Sequence, residues 1–156
     1  MKPISTITAR CLFVGWMLGW ATAVYAPSAL IAALALSPRV TGQNFFLDVF
    51  AVADEVSPAA KLLFAALFAG FLIVARMRSL GRPMVINSTI GMVSIMLVVA
   101  LLPLDWSRGF GIGLNGIRFD PLLTAIYLSG GLLGGVVFTI VEARCRSRSQ
   151  GSAKPH

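Results

Sequence analysis

Four apolar runs, each long enough to cross a bilayer, take up more than half of this 156-residue chain. They cover roughly 11–36, 58–75, 84–102 and 121–141. A hydrocarbon layer about 30 Å thick takes roughly 20 apolar residues of helix, with about 17 as the floor. The pattern predicts an all-α integral membrane fold. It comprises a four-helix transmembrane bundle, a short amphipathic helix in the first loop and a glycine-rich loop or hairpin in the third. One membrane domain over 1–143 is expected, followed by a basic, disordered cytoplasmic tail at 144–156.

Charge is scarce and placed at the edges. Charged residues make up 12% of the chain and hydrophobic ones 57%, whereas a soluble domain carries about 25% charged residues. The net charge of +7 does not point to nucleic acid, because the basic residues lie between and beside the spans. The lipid bilayer is the expected partner, together with other membrane proteins or further copies of the chain.

The first run could be mistaken for a signal peptide, since Val24-Tyr25-Ala26 offers small residues at cleavage-like positions. Pro27 follows at once, and the run continues far beyond a signal core of about 7–15 residues. A retained first span is expected, kinked at Pro27, which lacks the donor for one helical hydrogen bond. Gly15 and Gly19 share one face of this span, where a partner backbone can come close. Trp16 and Trp20 are expected near the first membrane interface.

In the first loop, Phe45, Val49, Val52 and Val56 recur at helical spacing, with Phe46 and Phe50 alongside. Asp48 and Glu55 are expected on the opposite side. This reads as a helix lying on the membrane surface with its phenylalanines in the interface. Ser57-Pro58 supplies a cap and a first-turn proline for span 2. Asp120-Pro121 does the same for span 4. Loop 3 carries Trp106 and alternates glycine with apolar residues from Gly109, and Asn115-Gly116 is a strong hairpin signal.

Span 4 holds the clearest packing pattern. Gly130 to Gly134 and Gly131 to Gly135 are two overlapping GxxxG motifs, smooth faces that allow close helix contact in lipid. Span 1 of the same chain, through Gly15 and Gly19, is the favoured partner over another copy.

Charge bias sets the expected orientation. Arg76, Arg78 and Arg82 flank the second loop, and Arg144, Arg146 and Arg148 follow span 4, whereas loops 1 and 3 are balanced or acidic. Positive-inside bias places both termini and the 76–83 loop in the cytoplasm. Short loops and this asymmetry suggest a bacterial inner membrane.

Chemistry is eliminated motif by motif. Gly111 to Gly116 is a literal GxGxxG, but dinucleotide binding needs it inside a βαβ unit. The Asn87-Ser88-Thr89 sequon falls at the edge of a span. The sole histidine is His156, and the two cysteines, Cys11 and Cys145, lack metal-ligand spacing, so neither cofactor nor metal is expected. The cysteines are expected as unpaired reduced thiols. The carboxylates Asp48, Asp54, Glu55, Asp105, Asp120 and Glu142 read as solvated loop charges and helix caps. No Asp, Glu, Lys, Arg or His lies in the central part of a span, which disfavours a charge-driven transporter. The expected role is a non-enzymatic accessory or structural membrane component acting through helix packing. The alternative is a subunit of a small-solute channel or transporter, lined by Thr22, Tyr25, Thr124, Tyr127 and Ser129.

Overall fold

The computed structural model describes residues 6–78, 82–101 and 121–151. Five helices form in order: α1 (Thr6–Ala33), α2 (Phe45–Glu55), α3 (Pro58–Met77), α4 (Pro83–Leu101) and α5 (Pro121–Gly151). The described residues contain no strand. All but α2 are long and apolar enough to cross a membrane, so the chain is a multi-pass membrane protein. The glycine-rich loop or hairpin, with Trp106 and the Asp120 cap, lies outside the described residues.

The register of side-chain contacts fixes the topology. Descending α5 from Phe138 to Gly134 to Gly130 meets Gly15, Gly19 and then Pro27 on ascending α1, so the two helices are antiparallel. Gly131 meets Gly91, and Gly135 meets Asn87, which makes α4 antiparallel to α5 as well. Trp16 and Trp20 reach Ala65 and Lys61 of α3, again antiparallel. The bundle is thus up-down-up-down, with α5 packed between α1 and α4. The helix α3 is the most peripheral span: 22% of it is buried, against 44% of α5.

The two indoles tie α1 to α3. Trp16 Nε1 donates to the Ala65 carbonyl and Trp20 Nε1 to the Lys61 carbonyl, both at 3.2 Å. Each carbonyl has a second lone pair beyond the one its own helix uses, so the tryptophans clamp α1 to α3. Beneath them Phe68 and Phe138 meet edge to face with ring centroids 6.1 Å apart, both fully buried.

Pro27 is accommodated inside α1, which runs unbroken through it to Ala33. Its missing N–H leaves the Ala23 carbonyl without that donor, and both the carbonyl and the ring face Gly130. The helix ends in a Schellman arrangement. Leu36 N–H bonds the Ile31 carbonyl at 3.0 Å and Ala35 N–H bonds that of Ala32 at 3.2 Å. Ala35 takes the left-handed position with φ 49°, where glycine is usual.

The first loop is held by its own polar groups. Asn44 caps α2 by accepting from Phe46 N–H and Leu47 N–H, and Ser57 caps α3 by accepting from Ala60 N–H. Asp48 does not point to solvent as its sequence position suggests. It is buried beside Val52, one turn on along α2. Its carboxylate accepts from Thr41 N–H and Oγ1, each at 2.9 Å, and from Gly42 N–H at 3.0 Å. An α-helical wheel therefore misassigns it, because the strand of loop returning over α2 supplies donors on the inner face. The backbone hydrogen bond from Thr41 is the main force holding the Asp48 carboxyl below its ordinary value.

The tail also differs from expectation. α5 continues to Gly151, so 144–151 extends the helix beyond span 4 instead of being disordered there. At about 1.5 Å per residue, Pro121 to Val141 already crosses roughly 30 Å. The charged turns after it project beyond the hydrocarbon.

Candidate functional site

Two features define what the bundle can do: the glycine surfaces of α5 and the arginine-rich end where α1, α3, α4 and α5 meet. The overlapping GxxxG frames divide between two neighbours. Gly130 and Gly134 face α1, and Gly131 and Gly135 face α4. A Cβ at Gly134 would stand 2.6 Å from the Gly19 carbonyl oxygen, and one at Gly130 2.8 Å from the Pro27 ring. A Cβ at Gly131 would stand 2.6 Å from the Gly91 oxygen, and any side chain at Gly91 or Gly135 would overlap the opposing backbone. Gly15 packs on the Phe138 ring. Adjacent residues on a helix lie about 100° apart, so a doubled glycine pair gives one helix two smooth faces. Gly91 had no GxxxG partner in its own helix to draw attention to it.

A buried polar chain reinforces the second face. Asn87 Nδ2 donates to Thr139 Oγ1 at 3.0 Å, and Thr139 donates to the Gly135 carbonyl at 2.9 Å. Interhelical bonds of this kind specify partners and register where lipid cannot satisfy the groups. The buried hydroxyls of Ser28 and Ser94 bond back to Val24 and Ile90 in their own helices.

At the other feature the six arginines expected to set orientation lie together with Arg10 at one end of the bundle. Antiparallel packing gathers them from the starts of α1 and α4 and the ends of α3 and α5. They do not all face solvent freely. Glu142 is buried, and both its oxygens are engaged: Arg76 from α3 on one, Arg146 from the next turn of α5 on the other, the latter at 2.6 Å. From its sequence position alone Glu142 reads as a solvated charge. The overlooked signal is an acid at the last apolar turn of a span, directly followed by arginines, because such an acid needs a cation to remain buried.

The cysteines differ from expectation too. Cys11 and Cys145 form a disulfide with Cα atoms 5.5 Å apart. They are 134 residues apart in sequence, but the antiparallel α1–α5 pair brings the first turns of one helix beside the last of the other. Cys11 is fully buried, and Cys145 is half-buried among Arg144, Arg146 and Arg148.

The polar side chains considered for a pore do not share one surface. Thr124 and Tyr127 are buried, Tyr127 within the main apolar cluster, whereas Tyr25 is exposed and stacks edge-on against Phe50 of α2. Thr22 and Ser129 bond to carbonyls of their own helices. The described carboxylates are mostly committed to structural bonds: Asp48 as above, and Glu55 to Ser37 Oγ at 2.7 Å and Arg39 at 3.4 Å. No group of three His, Cys, Asp or Glu side chains is placed to hold a metal ion among the described residues.

No protein-family model, curated protein or solved structure matches this chain. The class it belongs to is therefore defined by the fold itself, a multi-pass helical membrane protein.

Proposed function

We propose that this protein is a non-enzymatic accessory or structural component of a cell membrane, of the bacterial inner-membrane type, that acts by helix packing against partner membrane proteins. The observation carrying this reading is that both glycine faces of α5 are taken up inside the chain, so that a partner helix would meet the apolar outer surface of the bundle. Every span keeps apolar side chains exposed on its outer side, Phe13 and Leu18 on α1, Leu62 and Ile73 on α3, Val85 and Leu101 on α4 and Leu122 on α5, and Gly70 of α3 has nothing within 4 Å of its missing side chain. α2 adds Phe46, Leu47 and Phe50, exposed beside the membrane spans. Their apolar side suits the boundary between headgroups and acyl chains.

Both termini face the cytoplasm in this reading. At their end of the bundle the described residues place seven arginines against the single acid Glu142. At the opposite end Arg39 and Lys61 are outweighed by Asp48, Asp54 and Glu55. Positive-inside bias gives the orientation. The commitment of Asp48, Glu55 and Glu142 to structural bonds supports a role without catalysis.

Purification of the tagged protein from native membranes in mild detergent, followed by mass spectrometry of the intact complex, tests the proposal. A stoichiometric second membrane protein is expected. A homo-oligomer with no other component would favour the channel alternative and contradict the accessory role.

A further inference from the structure

We infer that Cys11 and Cys145 are a reversible thiol–disulfide couple, in which Cys145 exchanges with a small anionic disulfide of the glutathione class and Cys11 resolves the adduct. Three observations carry this. The two sulfurs are held together by helices that already pack along their length, so the same backbone serves either redox state. The Cα separation of 5.5 Å lies within the range that a disulfide spans without backbone movement. The two sulfurs also differ in access, with Cys11 at 1% exposure and Cys145 half-buried.

Location supplies the rest. Cys145 follows Val141 by about one helical turn, beyond the roughly 30 Å that hydrocarbon requires. Arg10, Arg144 and Arg148 are exposed around the pair, a cationic rim that favours an anionic reagent over a neutral one. The inference rests on the orientation proposed above, because the arginine-rich end then faces a reducing compartment, where a disulfide is transient and not permanent.

The exchange balances as two displacements. The Cys145 thiolate attacks one sulfur of the oxidised reagent RSSR, forming a mixed disulfide and releasing RS⁻. The Cys11 thiolate then attacks Cys145 Sγ, forming the intrachain bond and releasing the second RS⁻. Two protein thiols are oxidised, one RSSR is reduced, and the two protons go to the departing thiolates. Reduction by the thiol form reverses both steps, entering at Cys145 Sγ.

The test uses the full-length protein in native membranes, with thiols counted by maleimide mass-tagging after acid quench. Two free thiols are expected in growing cells, none after oxidised glutathione, and two again after reduced glutathione. Cys11→Ser should accumulate a glutathione adduct at Cys145, exceeding any adduct at Cys11 in Cys145→Ser by about tenfold or more, given the difference in access. Equal adducts in the two variants, or a wild-type pair that never oxidises, would overturn the couple. A reporter fused after His156 separates its failure from that of the orientation. A bond that resists permeant dithiothreitol with a cytoplasmic reporter contradicts the couple alone. The same bond with an exoplasmic reporter contradicts the orientation, and the couple with it.

Discussion

Gly19 of α1 and Gly134 of α5 face each other backbone to backbone. A methyl group on Gly19 would lie 2.8 Å from the Gly134 oxygen, and one on Gly134 would lie 2.6 Å from the Gly19 oxygen. Neither clash can be relieved by a rotamer change, because the obstructing atom is main chain. The helices would have to separate along their interface and lose the dispersion contacts that hold them together in lipid.

Substitution at the second glycine face should show the same effect. Gly91→Ala and Gly131→Ala are each expected to destabilise the bundle by about 1–3 kcal/mol, the usual range for overpacking. Gly70→Ala is the control, since Gly70 has nothing within 4 Å, and should be neutral or slightly stabilising. Equilibrium unfolding in mixed micelles reads the difference. Equal stability for all three variants would remove the close-packing account of α4 and α5.

The Asn87–Thr139 bond predicts an asymmetry. Thr139→Val leaves the buried Asn87 amide without its acceptor, at a cost of about 1–3 kcal/mol. Asn87→Leu removes that donor as well and leaves Thr139 bonded to the Gly135 carbonyl. The first variant should be the less stable of the two in the same unfolding assay, provided that both keep native helicity by circular dichroism.

Glu142→Gln should cost about 1–3 kcal/mol by leaving two arginines without their shared counter-charge. Loss of one partner from a fully buried pair costs more, about 3–5 kcal/mol. Here Arg76 and Arg146 keep 37% and 39% of their side chains exposed, and solvent screens part of the interaction. Thermal unfolding of the variant beside an Arg148→Gln control distinguishes the cluster from general surface charge.

Asp48 gives the first loop a dependence on pH. Its folded-state value is depressed, first by the Thr41 backbone hydrogen bond. Its contribution is therefore present above the ordinary carboxylate value and is lost as pH falls through the lower folded value. The protection of the Thr41 and Gly42 amides, taken against the intrinsic exchange rate at each pH, should fall in that acidic window, and Asp48→Asn should show the reduced protection already at neutral pH. Exchange rates unchanged by the variant would show that the carboxylate does not latch the loop.

Ala35 predicts a gain. It occupies a left-handed position at φ 49°, and Ala35→Gly should stabilise the end of α1 by about 0.5–1 kcal/mol. A shift in unfolding midpoint with unchanged cooperativity would register it.

The spans could be read from sequence because their signal is local: about 20 apolar residues in a row have few alternatives in lipid. Helix starts at Ser57-Pro58 were legible for the same reason, since cap and helix are neighbours. The disulfide and the Glu142 cluster depend on which helices meet, at what register, and that information is distributed over the chain. It was nonetheless latent in the glycines. Once Gly19 is set against Gly134, eight residues back on α1 is Cys11 and eight onward on α5 is Glu142, one turn before Cys145. Asp48 was misplaced because a helical wheel treats α2 as isolated, whereas Thr41 and Gly42 fold back over it.

The contact between α1 and α5 lies within one chain. Its most direct test is the intact mass of the purified, oxidised protein under denaturing, non-reducing conditions, with Cys11→Ser and Cys145→Ser co-expressed as the comparison. A single-chain product carrying one internal disulfide is expected, with no covalent dimer from the two single-cysteine variants. A disulfide-linked dimer joining Cys11 of one copy to Cys145 of another would place the α1–α5 contact between chains and contradict it.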